Sequence, residues 1–283
     1  MPRMKIGIVL PTFNVEATLN AALREVSQLL AEGMGELLIV DNNSSDRTRQ
    51  VIADFFGNGD VAKGRCTVRL HQQNLGYGAS IKGGFEFFRT RDVTHVLVLH
   101  SDAQTDNYTL ATSLMTVAGE TGADAVIGSR FTSGSDISGY SVLRKLANVF
   151  FNGLTKVSAG RSLSDAGSAM VLLRKELLET LHFTGMPNDW KFHPSLNIAL
   201  GVNPEALILE VPMRWADSDA GSSVPLFKYG FSLVGMLVGV WFRRLFSRGI
   251  WGEKLTQVSG GETTHEVLSL QDFLESHAGH TYG

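Results

Sequence analysis

Short apolar runs alternate with longer segments of helical spacing through the first 130 residues. The apolar runs are rich in Val, Ile and Leu and lack a strict polar–apolar alternation, which is typical of strands buried on both faces of a parallel sheet. These runs cover residues 6–10, 36–40, 67–70, 95–99 and 123–128, and the helical segments cover 17–31, 47–56, 79–89 and 108–118. The pattern predicts an α/β fold in which helices cover a central sheet.

The rhythm changes after Arg130. A Ser- and Gly-rich stretch over 132–139 predicts a mobile loop. The elements predicted beyond it are a helix over 140–158, strands over 168–173 and 205–211, and a long apolar helix over 226–246. From about residue 256 onward the sequence has little periodicity, so we expect a loosely ordered tail.

Composition narrows the class of protein. The 283 residues include 25 basic and 28 acidic side chains, a net charge of −3, and 43% of them are hydrophobic, which is an ordinary globular balance. Nucleic-acid binding driven by bulk positive charge is therefore not expected. Cys66 is the single cysteine, which excludes an intramolecular disulfide framework and a cysteine-rich zinc site and indicates a reducing compartment.

The N-terminal sequence lacks the pattern of a secretory signal, and we expect a cytoplasmic protein. The apolar segment at 226–246 leaves two interpretations open. It contains Arg243 and Arg244, which suits a helix that lies in a membrane interface with its arginines at lipid phosphates. Its glycines suit the other interpretation, close packing on the sheet or against a second copy of the chain.

Polar motifs directly follow four of the apolar runs, at residues 11–14, 41–46, 74–78 and 100–104. Because ligands bind at the carboxyl ends of strands in open α/β sheets, we expect these loops to meet in one large polar site. Asp41 ends a strand there, and it suits either contact with a base or ribose or a role in capping the next helix. The glycines of the third loop do not complete a dinucleotide fingerprint, although Lys82 beyond them could face a phosphate.

The run His100-Ser101-Asp102-Ala103-Gln104 contains the main metal candidate. An acidic side chain just beyond a buried strand is costly unless it is paired or binds a cation, and Mg²⁺ or Mn²⁺ prefers oxygen ligands. We therefore predict that Asp102 binds a divalent cation that neutralises a diphosphate. The alternative role, capping of the following helix, suits Asp106 better.

Arg130 follows the fifth apolar run, in the sequence Gly128-Ser129-Arg130-Phe131. The planar guanidinium suits phosphate binding, and the alternative is a surface salt bridge.

Taken together, these motifs resemble family 2 glycosyltransferases of the GT-A fold, and among them the branch of the dolichyl- and polyprenyl-phosphate mannose synthases. The family's opening Pro-Thr-Tyr-Asn is matched by residues 11–14, its Asp-(Asp/Asn)-x-Ser-x-Asp-x-Thr by 41–48, its Asn-x-Gly-x-Gly by 74–78 and its Gly-Ser-Arg-(Phe/Tyr) by 128–131. Looser matches to the branch lie at 165–176, 210–215 and 220–230. The resemblance implies a Rossmann-like mixed sheet flanked by helices.

The resemblance covers about residues 4–246 and implies a division of the chain. One GT-A domain is expected over 1–246, with a nucleotide-sugar-binding half at 1–130 and an acceptor half at 131–246. Residues 247–283 are then a C-terminal tail outside the resemblance.

The resemblance also implies roles for the matching residues. Those expected to bind the donor are Pro11, Thr12, Phe13, Asn14, Glu16, Asp41, Asn43, Gly76, Lys82, Ser101, Asp102 and Arg130. The family's metal motif Asp-x-Asp-x-Gln begins with a histidine here, so the expected metal ligands are Asp102, Gln104 and His100. The histidine removes one negative charge from the site.

The reaction implied is inverting transfer of a sugar from a UDP- or GDP-sugar to a polyprenyl phosphate or to a soluble hydroxyl-bearing molecule. A hydroxyl acceptor needs a general base. Asp189 is the first candidate and Asp165 the second, although Asp189 suits a helix cap equally well. His100 and the lack of an unambiguous base leave a second hypothesis open, a catalytically degenerate protein that binds a nucleotide sugar without turnover.

Overall fold

A computed structural model describes residues 4–57, 65–137, 140–159, 163–216, 234–235 and 265–277. Its strands are β1 (Ile6–Thr12), β2 (Gly35–Asp41), β3 (Cys66–His71), β4 (His95–Val98), β5 (Ala125–Ser129), β6 (Val171–Arg174), β7 (Ile208–Pro212) and β8 (His265–Ser269). Its α-helices are α1 (Leu19–Ala31), α2 (Thr48–Gly57), α3 (Tyr77–Arg89), α4 (Asn107–Thr121), α5 (Val142–Ala159), α6 (Lys175–Thr180), α7 (Phe192–Val202) and α8 (Leu270–His277). A short 3-10 helix covers Phe183–Gly185.

The described strands form one mixed sheet in the order β7-β5-β6-β4-β1-β2-β3-β8. β1 pairs in parallel with β2 and β4, and β2 pairs in parallel with β3. β6 is antiparallel to both β4 and β5, while β7 is parallel to β5. The carboxyl ends of β1 to β5 and of β7 therefore reach the same edge of the sheet, and the expected mixed α/β sheet is confirmed.

Helices cover both faces of the sheet because alternate strand residues point to opposite sides. Ile8 and Leu10 of β1 join a buried apolar cluster with residues of α1, α2, α4 and α8. Val9, between them, joins a second cluster with residues of α3, α6 and α7. Each fully buried Leu or Phe in these clusters stabilises the fold by about 1.5–3 kcal/mol relative to exposure. The two cores hold the strand ends, and so the loops that follow them, in fixed positions.

The expectation of a loosely ordered tail is wrong for residues 265–277. β8 pairs antiparallel with β3, with His265 opposite His71 and Ser269 opposite Thr67. α8 then buries Leu270 and Phe273 completely. Five strand residues and two turns of helix are too short for a clear periodic signal in the sequence. Pairing with the edge of β3 stabilises the strand.

The apolar segment predicted at 226–246 lies outside the described residues except at 234–235. Among the helices that the structure describes, none has both the length and the apolar character required to cross a bilayer.

Candidate functional site

The loops after β1 and β2 are joined by hydrogen bonds from side chains. Asn14 accepts a hydrogen bond from the Ser45 backbone N–H at 2.8 Å, and its own N–H donates to Ser44 Oγ at 3.0 Å. Glu16 Oε2 accepts from the Arg47 backbone N–H at 2.8 Å. Two predicted donor-binding residues, Asn14 and Glu16, thus hold the first two loops together.

Three non-glycine residues of the described chain have positive φ, and each lies in a strand-end loop. They are Asn14 (52°), Asn43 (63°) and Ala103 (55°). Asparagine tolerates this left-handed region, whereas Ala103 is strained there. Such strain persists where surrounding contacts enforce a backbone path, and it is concentrated at functional sites.

Asp41 is fully buried at the end of β2. Its Oδ2 accepts a hydrogen bond from Arg49 Nε at 2.6 Å, and its Oδ1 accepts from Ser44 Oγ at 2.5 Å. Arg49 Nη2 also donates to Asn43 Oδ1 at 3.4 Å. The carboxylate is engaged with α2, and Arg49 is the more exposed member of the pair.

The predicted donor residues at the end of β1 differ in exposure. Pro11 and Thr12 are buried, and the Pro11 carbonyl accepts a hydrogen bond from Ser101 Oγ at 2.7 Å. Ser101 therefore ties the β1 loop to the β4 loop. Phe13 exposes its ring at the same edge, where an aromatic face can stack on a base.

The third loop packs against the segment that precedes α7. Gly76 has φ 92°, and a Cβ there would lie 2.4 Å from the Asn188 carbonyl oxygen. Lys82 Nζ donates to the carbonyl oxygens of Thr184 and Met186, at 3.1 and 2.8 Å, and burial lowers the pKa of Lys82. The structure thus places Gly76 and Lys82 in a packing junction and directs the Lys82 ammonium to main-chain oxygens.

His100 and Asp102 lie side by side after β4. His100 Nδ1 is 3.6 Å from Asp102 Oδ2, and Asp102 Oδ1 accepts from the Gln104 backbone N–H at 3.2 Å. Burial acts to raise the pKa of Asp102, but the hydrogen bond and charge of His100 and the Gln104 N–H outweigh it, so this pKa lies below its usual value. The side chain is 38% exposed, and its carboxylate is anionic at neutral pH.

The described residues contain no group of three or more His, Cys, Asp or Glu side chains placed to hold a metal ion. One carboxylate beside one imidazole is too few for a site built from protein alone. It fits a cation that takes its other ligands from substrate phosphates and water, as Mg²⁺ does in nucleotide sites. The chemistry of the donor set thus fits a metal shared with a diphosphate.

Arg130 forms a buried ion pair with Asp165, which overturns the surface alternative. Arg130 Nε and Nη2 each donate to an Asp165 carboxylate oxygen at 2.7 Å. Asp165 is fully buried, and Glu210 of β7 fixes its loop by accepting from the Asp165 and Ser164 backbone N–H groups at 3.2 and 2.9 Å. The guanidinium is therefore held in one orientation.

Aromatic rings link Arg130 to His100. The Arg130 guanidinium carbon lies 5.4 Å from the centre of the Trp215 ring, within cation–π range. Trp215 also meets the His100 ring edge-on, with ring centres 6.0 Å apart. Tyr77 Oη lies 3.4 Å from His100 Nε2, and the Tyr77 ring stacks on Trp190 at 4.6 Å. The structure therefore brings the predicted metal and phosphate residues to one place.

Asp189 lies beside Trp190 in the turn that precedes α7. Its Oδ1 accepts from the Lys191 backbone N–H at 2.9 Å, and its Oδ2 lies 3.1 Å from Lys191 Nζ. These contacts lie within the turn before α7, whose N-cap position is Lys191 and has no side-chain cap, so Asp189 does not cap the helix. The side chain is 54% exposed, so solvent also reaches it.

Sequence reasoning missed several residues of this site: Arg49, Tyr77, Trp190, His193, Glu210 and Trp215. Tyr77, Glu210 and Trp215 lie inside motifs that the sequence did single out. The sequence could not show which side chains these residues contact. His193 carried no signal, because a histidine in an apolar helix is most often a core residue.

A mixed sheet covered by helices on both faces, with polar loops gathered at its carboxyl edge, is the architecture of the GT-A fold. The model of the family described as Glycosyl transferase family 2 matches residues 7–181. The chain belongs to this family and is a glycosyltransferase.

Three relatives of this chain are named as sugar transferases of the polyprenol- and dolichol-phosphate type. Polyprenol monophosphomannose synthase of Mycolicibacterium smegmatis is 23% identical over 78% of this chain and 81% of its own length. Undecaprenyl-phosphate 4-deoxy-4-formamido-L-arabinose transferase of Edwardsiella ictaluri is 24% identical over 80% of this chain and 63% of its own length. Dolichol-phosphate mannosyltransferase of Pyrococcus furiosus is 25% identical over 62% of this chain, and the match spans about half (48%) of that protein.

Solved structures confirm the fold. Glucosyl-3-phosphoglycerate synthase from Mycobacterium tuberculosis, in complex with Mn²⁺, UDP-glucose and phosphoglyceric acid, aligns with a TM-score of 0.57 at 19% identity, over 93% of this chain and 86% of that one. Mannosyl-3-phosphoglycerate synthase from Rubrobacter xylanophilus aligns with a TM-score of 0.57 at 17% identity, over 94% and 87%. At these identities the likeness establishes the GT-A fold.

Proposed function

We propose that this chain transfers a sugar from a nucleoside diphosphate sugar to the phosphate of a polyprenyl phosphate, with inversion at the anomeric carbon. The named relatives act on lipid phosphates of this kind. The structures of glucosyl-3-phosphoglycerate synthase, which contain Mn²⁺ with UDP or UDP-glucose, support a nucleoside diphosphate sugar donor, UDP- or GDP-linked.

Both candidate bases are engaged in hydrogen bonds and ion pairs, and this observation supports the choice of acceptor. Asp165 is buried and gives both carboxylate oxygens to Arg130. Asp189 gives one oxygen to the Lys191 N–H and pairs the other with the Lys191 ammonium. A hydroxyl acceptor would require one of them to remove a proton, whereas a phosphate is already anionic at neutral pH. The geometry therefore favours a phosphate acceptor.

The residues of the site divide the work of binding and orientation. We assign the nucleoside to the loops after β1 and β2, where Phe13 offers an exposed ring and the partly exposed Arg49 carries the positive charge of the pair with Asp41. Arg130, fixed by Asp165, supplies a preorganised positive charge for the diphosphate. Asp102, with His100 and Gln104, would hold a divalent cation, Mg²⁺ or Mn²⁺, which when bound neutralises charge on the leaving diphosphate.

The transfer is one in-line displacement. An acceptor phosphate oxygen forms a bond to the anomeric carbon while the bond from that carbon to the diphosphate oxygen breaks, and the nucleoside diphosphate leaves with the electron pair. We further propose that this takes place in the cytoplasm, in agreement with the single, buried thiol of Cys66.

The test is transfer measured with UDP- and GDP-sugars and undecaprenyl phosphate, with Mn²⁺ or Mg²⁺, by extraction of the labelled lipid. We expect Asp102→Asn to lower kcat/KM by roughly 100-fold or more, because it removes the anionic ligand of the metal–diphosphate group. Asp106→Asn is the matched control: this residue lies in the same loop and caps α4 by accepting from the Thr109 N–H at 2.9 Å, and asparagine caps equally well.

Two outcomes would overturn the proposal. Transfer to phosphoglycerate but not to the lipid phosphate, with a loss of roughly 100-fold in kcat for Asp189→Asn, would establish a hydroxyl acceptor with Asp189 as its base. Stabilisation by nucleotide sugars in a thermal-shift assay without turnover of any of them would establish the degenerate binding protein.

A further inference from the structure

Helix α5 has its polar side turned inward. Asn152 Oδ1 accepts from the Ala166 N–H at 3.1 Å, and its amide donates to the Ser164 carbonyl at 2.5 Å. Thr155 is buried one turn further on, and Asn148 donates to Tyr140 Oη at 3.0 Å. These contacts fix the rotation of the helix about its axis.

The outward side of α5 is consequently apolar. Of the eight exposed large hydrophobic side chains in the described residues, five lie on this helix, at 61–72% exposure: Val142, Leu146, Val149, Phe150 and Val157. Their spacing places them along one stripe of an α-helix. A contiguous apolar stripe of this kind marks an interaction surface, whereas singly scattered apolar residues do not.

The positive charge of α5 indicates what kind of surface can cover the apolar stripe. The 18 residues of α5 include Arg144, Lys145 and Lys156 and no acidic residue. A second copy of α5 would bring like charges together, which opposes association. The apolar segment 226–246 of this chain also has basic residues, Lys228, Arg243 and Arg244, and no acidic one. An anionic lipid surface accepts both the apolar side chains and the cationic ones.

The stripe lies close to the candidate active site. Asn148, on the inner side of α5, bonds Tyr140 Oη, and that hydroxyl also accepts from Arg130 Nη1 at 3.4 Å. A bilayer against the outer side of α5 would thus lie one helix diameter from the guanidinium assigned to the diphosphate.

We propose that the outer face of α5 is a docking surface for anionic membrane lipids. This goes beyond the proposed transfer reaction, since a transferase can use a lipid phosphate without this helix as its contact. The stripe inserts its apolar side chains at the level of the acyl chains, and the lysines meet lipid phosphates.

The test is co-sedimentation of the full chain with vesicles of phosphatidylcholine alone or with phosphatidylglycerol. Val149→Glu with Phe150→Glu should lower the fraction bound to the anionic vesicles at least about tenfold, because two apolar side chains leave the interface and two negative charges enter it. Lys145→Glu with Lys156→Glu should weaken binding and its dependence on salt. Leu207→Glu and Arg24→Glu are the controls, because both residues are exposed and lie away from α5. Leu207 directly precedes β7, and Arg24 lies on α1.

Transfer to a short, water-soluble polyprenyl phosphate separates docking from catalysis. We expect the Val149→Glu/Phe150→Glu variant to keep that activity. Unchanged vesicle binding by the variant would overturn the proposal. So would a concentration-dependent dimer that the variant abolishes, which would identify a second copy as the occupant. A fall of several degrees in the Tm of the variant without vesicles would also overturn it. That result would identify the chain's own apolar segment, residues 226–246, as the occupant of the stripe.

Discussion

Two aspartates at the edge of the sheet are paired with arginine side chains. These pairs form only in the folded chain and could not be predicted from the sequence. Asp41 pairs with Arg49 at 2.6 Å and Asp165 with Arg130 at 2.7 Å, and both aspartates are fully buried. Breaking a buried pair leaves an uncompensated charge, which is strongly destabilising. The two pairs thus give the loops a rigidity that suits residues awaiting a charged ligand.

His193 is the residue whose burial predicts a pH effect. Neither of its ring nitrogens has a hydrogen-bond partner in the described structure, and burial, with a smaller effect of the His100 charge, lowers its pKa to about 3. Below the usual pKa of about 6.5, the unfolded chain binds a proton that the folded chain does not, so stability is complete above that pH and falls between about 6.5 and 3.

Urea unfolding at pH 6.5 and pH 4.5 checks this effect. Wild type should lose about 2 kcal/mol more than His193→Phe over this interval, because the phenylalanine binds no proton. His182→Gln removes an exposed histidine and should keep the wild-type slope. Equal slopes for wild type and His193→Phe would show that His193 does not titrate on unfolding in this range.

Between elements, the contact of α3 with the segment before α7 is the tightest approach near the site. A Cβ on Gly78 would lie 2.4 Å from the Pro187 carbonyl oxygen and 2.7 Å from Phe192 Cβ. Gly78→Ala should therefore lower the free energy of unfolding by about 1–3 kcal/mol, despite the better helix propensity of alanine.

Gly153→Ala in α5 is the matched control for this substitution. Nothing lies within 4 Å of its Cβ position, so alanine should stabilise the helix by up to about 1 kcal/mol. Urea denaturation of both variants compares them directly. A Gly78→Ala protein as stable as Gly153→Ala would mean that the two segments separate at little cost.

Elements were predictable where an apolar run or a helical spacing of apolar residues is unbroken. The apolar run at 6–10 became β1, and the segment at 140–158 became α5 (Val142–Ala159). The rotation of α5 could not be predicted, because a helix with one apolar side is expected to turn that side inward, whereas hydrogen bonds turn Asn148 and Asn152 inward instead. The site followed the same rule: strand-end carboxylates were predictable from the cost of burying them, and their partners were not.

At the scale of the whole molecule, the sheet is completed by residues from far along the chain. Phe273 of α8 is fully buried in the same cluster as Leu23 and Ile39. Phe273→Ala should lower the free energy of unfolding by about 3–5 kcal/mol through lost burial and a residual cavity. Gln271→Ala on the exposed side of α8 should change it by less than about 0.5 kcal/mol.

Guanidinium unfolding of the two variants measures this difference. A Phe273→Ala protein with wild-type stability would show that α8 contributes little to the core.

The pairing of β8 with β3 also constrains how the protein is made. β3 meets its outer partner only when residues roughly 200 positions later have been synthesised. During that interval the outer edge of β3 presents unpaired N–H and C=O groups, which another strand can use as a template. A nascent chain of this protein therefore carries an open sheet edge, at which it can pair wrongly with another strand, until β8 has been synthesised.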